Sequence, residues 1–237
     1  MEITASITDI TLSAITTIGL VQIVWFSVML LRRGIGPATI QLALPPLLAI
    51  WVLMWPVYTD RTWVWLGIFL LGLPVILASI LHAPFWQQLK QAWSTPPKSR
   101  GRLIKAEHVP MWPMTHLLTA LAIAAAFFQT FPEFGFGTGL SICLALPAAC
   151  WLDHTGHFAL GFPAHPGQTL AGHLILILMT AIVCGWSLHI YHGIGWQQIF
   201  IATLLTGIAA SLARALVPGG WNQPAMALAM GGTLWLL

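Results

Sequence analysis

Apolar runs of about 20 residues dominate the chain, and short polar segments separate them. A helix needs about 20 predominantly apolar residues to cross the hydrocarbon core of a bilayer. The pattern predicts an all-α, polytopic membrane helix bundle of about eight transmembrane helices, forming a single integral membrane domain over residues 1–237. The predicted spans lie near 12–31, 39–58, 63–82, 113–131, 138–158, 169–188, 197–217 and 223–237.

Prolines mark where several of these helices begin or bend. Six lie between the apolar runs or at their starts, where a missing backbone N–H costs little: Pro37, Pro110, Pro132, Pro163, Pro218 and Pro224. Four lie inside the runs: Pro45, Pro46, Pro74 and Pro147. Interior prolines are tolerated in membrane helices when neighbouring groups satisfy the freed carbonyls, so these four predict kinks.

The composition supports a lipid environment. Hydrophobic residues make up 58% of the 237 residues, whereas Asp, Glu, Lys and Arg together make up 6%. An ordinary soluble domain carries about 25% charged residues. The chain is therefore predicted to be a multi-pass integral protein of a bacterial inner membrane, a plasma membrane or an organelle equivalent. The net charge of +3 is too small for a nucleic-acid partner.

Basic residues predict which side of the membrane each loop occupies. Arg32 and Arg33 end the first predicted span, and the long loop 83–110 carries five more cations: Lys90, Lys98, Arg100, Arg102 and Lys105. Alternating spans place both basic segments on one side, and cytoplasmic loops carry an excess of Lys and Arg. The long basic loop is therefore predicted to be cytoplasmic and the N-terminus to lie outside.

The first half of loop 83–110 is amphipathic. Its apolar residues recur at helical spacing: Phe85, Trp86, Leu89 and Trp93. Such a segment is predicted to lie along the membrane interface. The cations that follow have two interpretations. They are either a topology signal that contacts anionic lipid, or a phosphate-binding group formed by Arg100, Arg102 and Lys105.

The polar residues of the second half converge on one membrane face. Span alternation places seven of them on the cytoplasmic side: Asp153, His157, His165, Gln168, Arg214, Trp221 and Asn222. Ionisable groups within spans are costly and usually mark a pair or a function. Asp153 and Arg214 are predicted to form a structural ion pair. A cofactor or substrate contact and snorkelling to the interface are the alternatives.

Histidines offer a second kind of site. His154 and His157 are three residues apart and share a helix face, and His116, in the fourth predicted span, is the deepest of the histidines. One axial nitrogen suffices for a tetrapyrrole, so His116, His157 and His173 are candidate ligands of a metal, a haem or a chlorophyll. The default interpretation is an interfacial or hydrogen-bonded histidine. A second His-x-x-His pair, His189 and His192, is predicted to lie on the opposite side of the membrane, and this split argues against a dinuclear metal site.

Three segments carry a resemblance to a known family. They read WLDHTGHFALGF at 151–162, QTLAGH at 168–173 and RALVPGGWNQP at 214–224. The order of these segments within residues 107–237, approximately, resembles the order of motifs in the phytol/dolichol kinase family. The members of that family are relatives of the CDP-diacylglycerol synthases. Asp153, Gly172, Pro218 and Asn222 match that family's motif positions. The resemblance implies phosphorylation of a prenyl alcohol by CTP with Mg²⁺.

Departures from the family's motifs bear on activity. Leu152 and His154 stand where the resemblance implies glycines that flank the aspartate, and His157 replaces a second aspartate. Gln168 replaces a lysine, Arg214 a glutamate and Trp221 an aspartate. Phosphoryl transfer depends on carboxylate-bound metal and on cations that hold the phosphates. Loss of these groups favours a protein that keeps the fold without the chemistry.

Three functional hypotheses follow. The first is a non-catalytic subunit or assembly factor of a larger membrane complex, with membrane lipids, other integral subunits and a prenyl chain, quinone or pigment as candidate partners. The second is a prenyl-alcohol kinase or related transferase with an altered site. Its acid/base groups would be Asp153, His154 and His157, and its phosphate-binding residues would be Gln168, Arg214, Asn222, Arg100, Arg102 and Lys105. The third is a haem- or chlorophyll-binding subunit.

Overall fold

The protein is an integral, multi-pass membrane helix bundle, as the apolar pattern predicts. The computed structural model describes residues 6–94, 111–155, 160–162, 165–217 and 219–237. Within these ranges, seven helices are long and apolar enough to cross a membrane. The helices are α1 Ile7–Arg32, α2 Pro37–Leu53, α3 Trp63–Ile80, α4 Pro84–Trp93, α5 Trp112–Thr130, α6 Pro132–Leu140, α7 Leu146–Thr155, α8 Leu170–His192, α9 Trp196–Leu216 and α10 Asn222–Leu236.

Helices α6 and α7 form one span that begins earlier than its sequence predicts. The span covers Pro132–Thr155, whereas the apolar run suggests a start near 138. The Gly-rich stretch after Pro132 reads as a loop in sequence. It is helical because its glycines allow close helix contact: a Cβ on Gly135 would lie 2.1 Å from the backbone N of Phe128 in α5. This span is also the most buried, at 72% of its apolar window.

A π-helical turn, Ser141–Ala145, joins α6 to α7. Pro147 follows this turn and has no N–H to donate to the carbonyl four residues earlier. Local π-helical adjustment is one way in which a membrane helix accommodates a proline. The span therefore continues through Pro147. Likewise, Pro45 and Pro46 lie within α2, and Pro74 lies within α3.

The eighth predicted span forms α10, which has 15 residues. At 1.5 Å per residue its length is about 22 Å, short of the roughly 30 Å hydrocarbon core. A short two-stranded antiparallel ribbon lies between α7 and α8. It pairs β1, Gly161–Phe162, with β2, His165–Thr169. The ribbon leads into α8 and places β2 beside the end of α7.

Each end of the bundle has its own set of polar contacts. At one end, the Asp9 Oδ1 accepts a hydrogen bond from the Thr59 backbone N–H at 2.7 Å, and Glu133 Oε1 lies 3.2 Å from His192 Nε2. At the other end, Arg32 Nε donates to Gln88 Oε1 at 2.8 Å. We call the second end the basic end, because Arg32 and Arg33 lie there.

The amphipathic segment forms α4 and packs against α1 at the basic end. Leu89 and Trp93 are buried, and the Trp93 indole N–H donates to Ser27 Oγ at 3.2 Å. Gln41 of α2 donates to the Ala92 carbonyl at 3.4 Å, so α4 also contacts α2. The cations Lys98, Arg100, Arg102 and Lys105 lie outside the described residues.

Candidate functional site

Asp153, near the end of α7, lies at the centre of a buried polar network. Its side chain is 4% exposed. Its Oδ1 accepts two hydrogen bonds from Thr169, one from the backbone N–H and one from the hydroxyl, each at 2.8 Å. Its Oδ2 forms an ion pair with Nη2 of Arg214 on α9. Both carboxylate oxygens are therefore engaged by side-chain or backbone groups of the protein.

Thr169 positions this carboxylate because it is also the N-cap of α8. Its hydroxyl accepts a hydrogen bond from the Gly172 N–H at 3.0 Å while donating to Asp153. Gly172 is required by the same contact, since a Cβ there would lie 2.3 Å from Asp153 Oδ1. The Gly172 position that matches the kinase family thus serves close packing of α8 against Asp153.

Arg214 is the cationic half of the pair and is 3% exposed. Its Nη2 also lies 3.7 Å from the Cys150 sulfur, one turn before Asp153. The guanidinium Nε and Nη1 atoms have no hydrogen-bond partner among the described residues. The pair joins α7 to α9, and it places a guanidinium where the kinase resemblance implies a glutamate.

A second chain of hydrogen bonds extends the network from Gln168 to α8 and α9. The Gln168 amide nitrogen donates to the Arg214 carbonyl at 3.1 Å, so its oxygen faces His173 Nε2 at 2.8 Å. An amide oxygen only accepts, so Nε2 of His173 carries a proton. His173 Nδ1 in turn lies 2.7 Å from Ser211 Oγ. Both ring nitrogens of His173 are thus engaged.

We define Asp153, Gln168, Thr169, His173, Ser211 and Arg214 as the Asp153 network. Its members come from α7, from the end of the β-ribbon, from α8 and from α9. All six side chains are nearly buried, and their bonds connect α7 and α9 to each other and to α8, which packs against both. Chemically, this arrangement fixes helix positions. Among the described residues, no group of three His, Cys, Asp or Glu side chains could hold a metal ion.

Replacing Gln168 with leucine tests the network away from its charges. The change removes the acceptor of the His173 N–H and the donor to the Arg214 carbonyl. A buried polar group without a partner costs about 1–3 kcal/mol, so we expect a loss of about 2 kcal/mol or more in the free energy of unfolding. The measurement is denaturant unfolding in mixed micelles.

Gln129→Leu is the matched control for that variant. The Gln129 oxygen accepts a hydrogen bond from the Trp65 indole at 3.1 Å, but this bond is exposed and lies at the opposite end of the bundle. Exposed substitutions usually change stability by less than about 0.5 kcal/mol. Equal stabilities for the two variants would contradict the assignment of Gln168 to a buried network.

A cleft of about 480 Å³ opens beside the network, at the basic end. Cys150 and His154 of α7 line it, so one wall lies directly behind the Asp153–Arg214 pair. Most of the surface is apolar, and it comes from five helices. The lining residues are Ala38, Thr39, Gln41, Leu42, Leu44, Pro45, Trp93, Pro113, Met114, Leu117, Cys150, Trp151, His154 and Gln223.

Polar groups in this cleft are few. His154 Nδ1 lies 2.7 Å from the Cys150 carbonyl, which only accepts, so Nδ1 carries the proton and Nε2 is an acceptor in the neutral ring. Gln223 Oε1 is buried and has no hydrogen-bond partner within the described part of the chain. The cleft therefore offers an apolar volume with a small number of amide and imidazole groups.

His116 lies outside the Asp153 network. Its ring packs against the Trp221 ring at 4.9 Å, and a Cβ on Gly220 would lie 1.8 Å from its Nδ1. The Gly219–Trp221 turn therefore needs a glycine to pass over the imidazole. Asn222, which matches a motif position of the kinase family, begins α10.

The remaining sequence-predicted residues are distributed differently. His157 and the phosphate-binding candidates Arg100, Arg102 and Lys105 lie outside the described residues. Of the polar set predicted to converge, Asp153, Gln168 and Arg214 are joined by hydrogen bonds. His154, a candidate acid/base group, lies on the cleft wall.

Two members of the network, Thr169 and Ser211, are not among the candidate residues predicted from the sequence. Thr169 has an N-cap signal, since it precedes an apolar run. Ser211 lies three residues before Arg214 on the same helix face, which is the signal that could have found it.

Comparisons of the chain with protein-family models, with curated proteins and with solved structures give no match. The resemblance to the phytol/dolichol kinase family therefore rests on the three sequence segments that suggest it.

Proposed function

We propose that this membrane protein is a non-catalytic subunit or assembly factor that holds the apolar part of a lipid, quinone or pigment in the cleft beside the Asp153 network. One observation carries the proposal. The carboxylate of Asp153, the acidic residue that matches the kinase motif, is occupied by Thr169 and Arg214. A carboxylate in this state joins α7 to the start of α8 and to α9.

The same contacts argue against phosphoryl transfer at this site. Mg²⁺ is held by carboxylates and phosphates, and it needs free oxygen ligands in octahedral geometry. Metal binding at Asp153 would displace a buried guanidinium and leave it unpaired, which is strongly unfavourable. Gln168 also cannot supply the positive charge of a phosphate-binding lysine, because its amide is engaged by His173 and by the Arg214 carbonyl.

The histidines favour a structural role over tetrapyrrole ligation. Iron or magnesium needs a free imidazole nitrogen, and both nitrogens of His173 are within 2.8 Å of hydrogen-bonding partners. The ring of His116 packs against the Gly219–Trp221 turn. A pigment in the cleft would meet the Nε2 acceptor of His154 and otherwise mainly apolar contacts.

The cleft suits an amphiphile. Its volume of about 480 Å³ falls in the range of small-molecule pockets, and such pockets combine apolar walls with a few polar groups. Its polar residues Gln41, His154 and Gln223 lie toward the basic end, where a lipid headgroup would meet the membrane interface. We therefore expect a chain-bearing ligand whose polar end faces the basic end.

A transfer assay tests the absence of catalysis. Purified protein is incubated with labelled CTP, Mg²⁺ and phytol, farnesol or dolichol. We expect no labelled prenyl phosphate above the amount formed by the Asp153→Ala variant, because Asp153 is engaged in the ion pair. Transfer that is well above background and is abolished in Asp153→Ala would establish the kinase instead.

Ligand retention tests the cleft. We expect lipid, quinone or pigment to co-purify from mild detergent, and Ala38→Trp to reduce its amount several-fold by filling the cleft mouth. Ala43→Trp is the matched control, since Ala43 is exposed on the same helix α2 and does not line the cleft. Extraction followed by mass spectrometry measures both. Wild-type protein that carries neither ligand nor partner polypeptide would contradict the proposal.

A further inference from the structure

Gln22 is a polar residue on the lipid-facing side of α1. It lies ten residues before Arg32, which ends the helix at the basic end, so it is about 15 Å along the axis from that end. This is about half of a 30 Å hydrocarbon core. The Gln22 side chain is exposed, and its amide makes no hydrogen bond to any residue that the structure describes. A polar group at that depth is costly and usually has a partner.

Gln22 lies in a groove of about 510 Å³ between α1 and α2. On α1, the groove is lined by Ile15, Gly19, Gln22 and Phe26 among others. These four positions are spaced by four, three and four residues, which is the spacing of a seam between two packed helices. A Cβ on Gly19 would have no atom within 4 Å, so another helix backbone can approach α1 there.

We propose that this seam is the contact between two copies of the chain, with the Gln22 amides of the two copies hydrogen-bonded to each other. Copies inserted in the same orientation are related by a two-fold axis along the membrane normal, which brings identical residues together at the same depth. An amide carries both a donor and an acceptor, so it is complementary to itself. The inference is independent of the proposed function.

The Gln22 amide favours a second copy of the chain over lipid as the occupant of the groove. An acyl chain in the groove would cover Ile15 and Phe26 but leave the Gln22 amide without a partner in hydrocarbon. Interhelical hydrogen bonds from Gln and close approach at Gly both promote helix association in membranes. Both occur within one turn of α1.

Cross-linking in native membranes tests the geometry. Gly19→Cys should form a disulfide-linked dimer under a membrane-permeant oxidant. Val21→Cys is the matched control. Val21 is 62% exposed and at nearly the same depth, but it lies about 100° around the helix from Gln22. All variants keep Cys143, Cys150 and Cys184, so the wild type sets the background. Equal cross-linking of both variants, or cross-linking of Gly19→Cys to a different protein only, would overturn the proposal.

Energy transfer between donor- and acceptor-labelled copies in liposomes tests whether the Gln22 amide stabilises the dimer. We expect Gln22→Leu to raise the dimer dissociation constant about tenfold, while Gln22→Asn and the control Val21→Leu stay close to wild type. Thermal unfolding of the variants is measured in parallel, because Gln22 is exposed and its replacement should leave the fold intact. Absence of transfer in the wild type, or an unchanged constant in Gln22→Leu, would refute self-association.

Discussion

Replacement of Arg214 by methionine is expected to lower the free energy of unfolding by about 3–5 kcal/mol. Methionine keeps much of the apolar stem but leaves the Asp153 carboxylate, 4% exposed, without its counter-charge. Breaking a buried pair by removing one partner costs this much because an unpaired charge remains in the interior. Denaturant unfolding in mixed micelles, with helix content as the signal, measures the loss.

Arg61→Met is the control for that prediction. Arg61 is exposed at the opposite end of the bundle, and its Nη1 donates to the Gln129 carbonyl at 3.4 Å. The same change of side chain should alter stability there by less than about 0.5 kcal/mol. If Arg214→Met were no more damaging than Arg61→Met, the pair would contribute little to the fold and Arg214 would be available for a ligand.

The second large effect is expected at Gly135. A Cβ at this position would lie 2.1 Å from the Phe128 backbone N and 2.4 Å from the Ala124 carbonyl oxygen. These are backbone atoms of α5, so they cannot rotate away, and relief requires that α5 and α6 separate. We expect Gly135→Ala to cost about 3 kcal/mol, at the upper end of overpacking effects.

Gly72→Ala provides the comparison. Gly72 lies inside α3, and a Cβ there would have nothing within 4 Å. The change should leave stability unchanged or raise it by up to about 1 kcal/mol through helix propensity. The two alanine variants are compared by thermal unfolding in the same detergent. Similar melting temperatures would mean that the α5–α6 contact is looser than the structure has it.

The sequence predicts the bundle well because lipid imposes a simple rule. Apolar runs of the required length are visible without any knowledge of packing, and the scarcity of charge draws attention to Asp153 and Arg214. Alternation of spans then places both residues at one end. In the structure, these two side chains are in contact.

The remaining features depend on tertiary contact. The helical start at Pro132 follows from how closely α5 and α6 approach, which a Gly-rich stretch does not reveal in sequence. The bonds of Gln168 to His173 and to the Arg214 carbonyl require the β-ribbon to place Gln168 beside α9, and no periodicity encodes that position. The resemblance to a kinase motif draws attention to the segments that contain Asp153, Gln168 and Arg214, but it cannot show that the Asp153 carboxylate is engaged by Thr169 and Arg214.

A double-mutant cycle on Asp153 and Arg214 tests the central claim, that these residues hold the helices together. Unfolding free energies are measured for the wild type, Asp153→Asn, Arg214→Met and the double variant. The amide oxygen introduced by Asp153→Asn can still accept from Thr169, and the double variant carries no buried unpaired charge. We predict that it is more stable than Arg214→Met alone, with a coupling free energy of about 2 kcal/mol. Additive effects within about 0.5 kcal/mol would contradict the account.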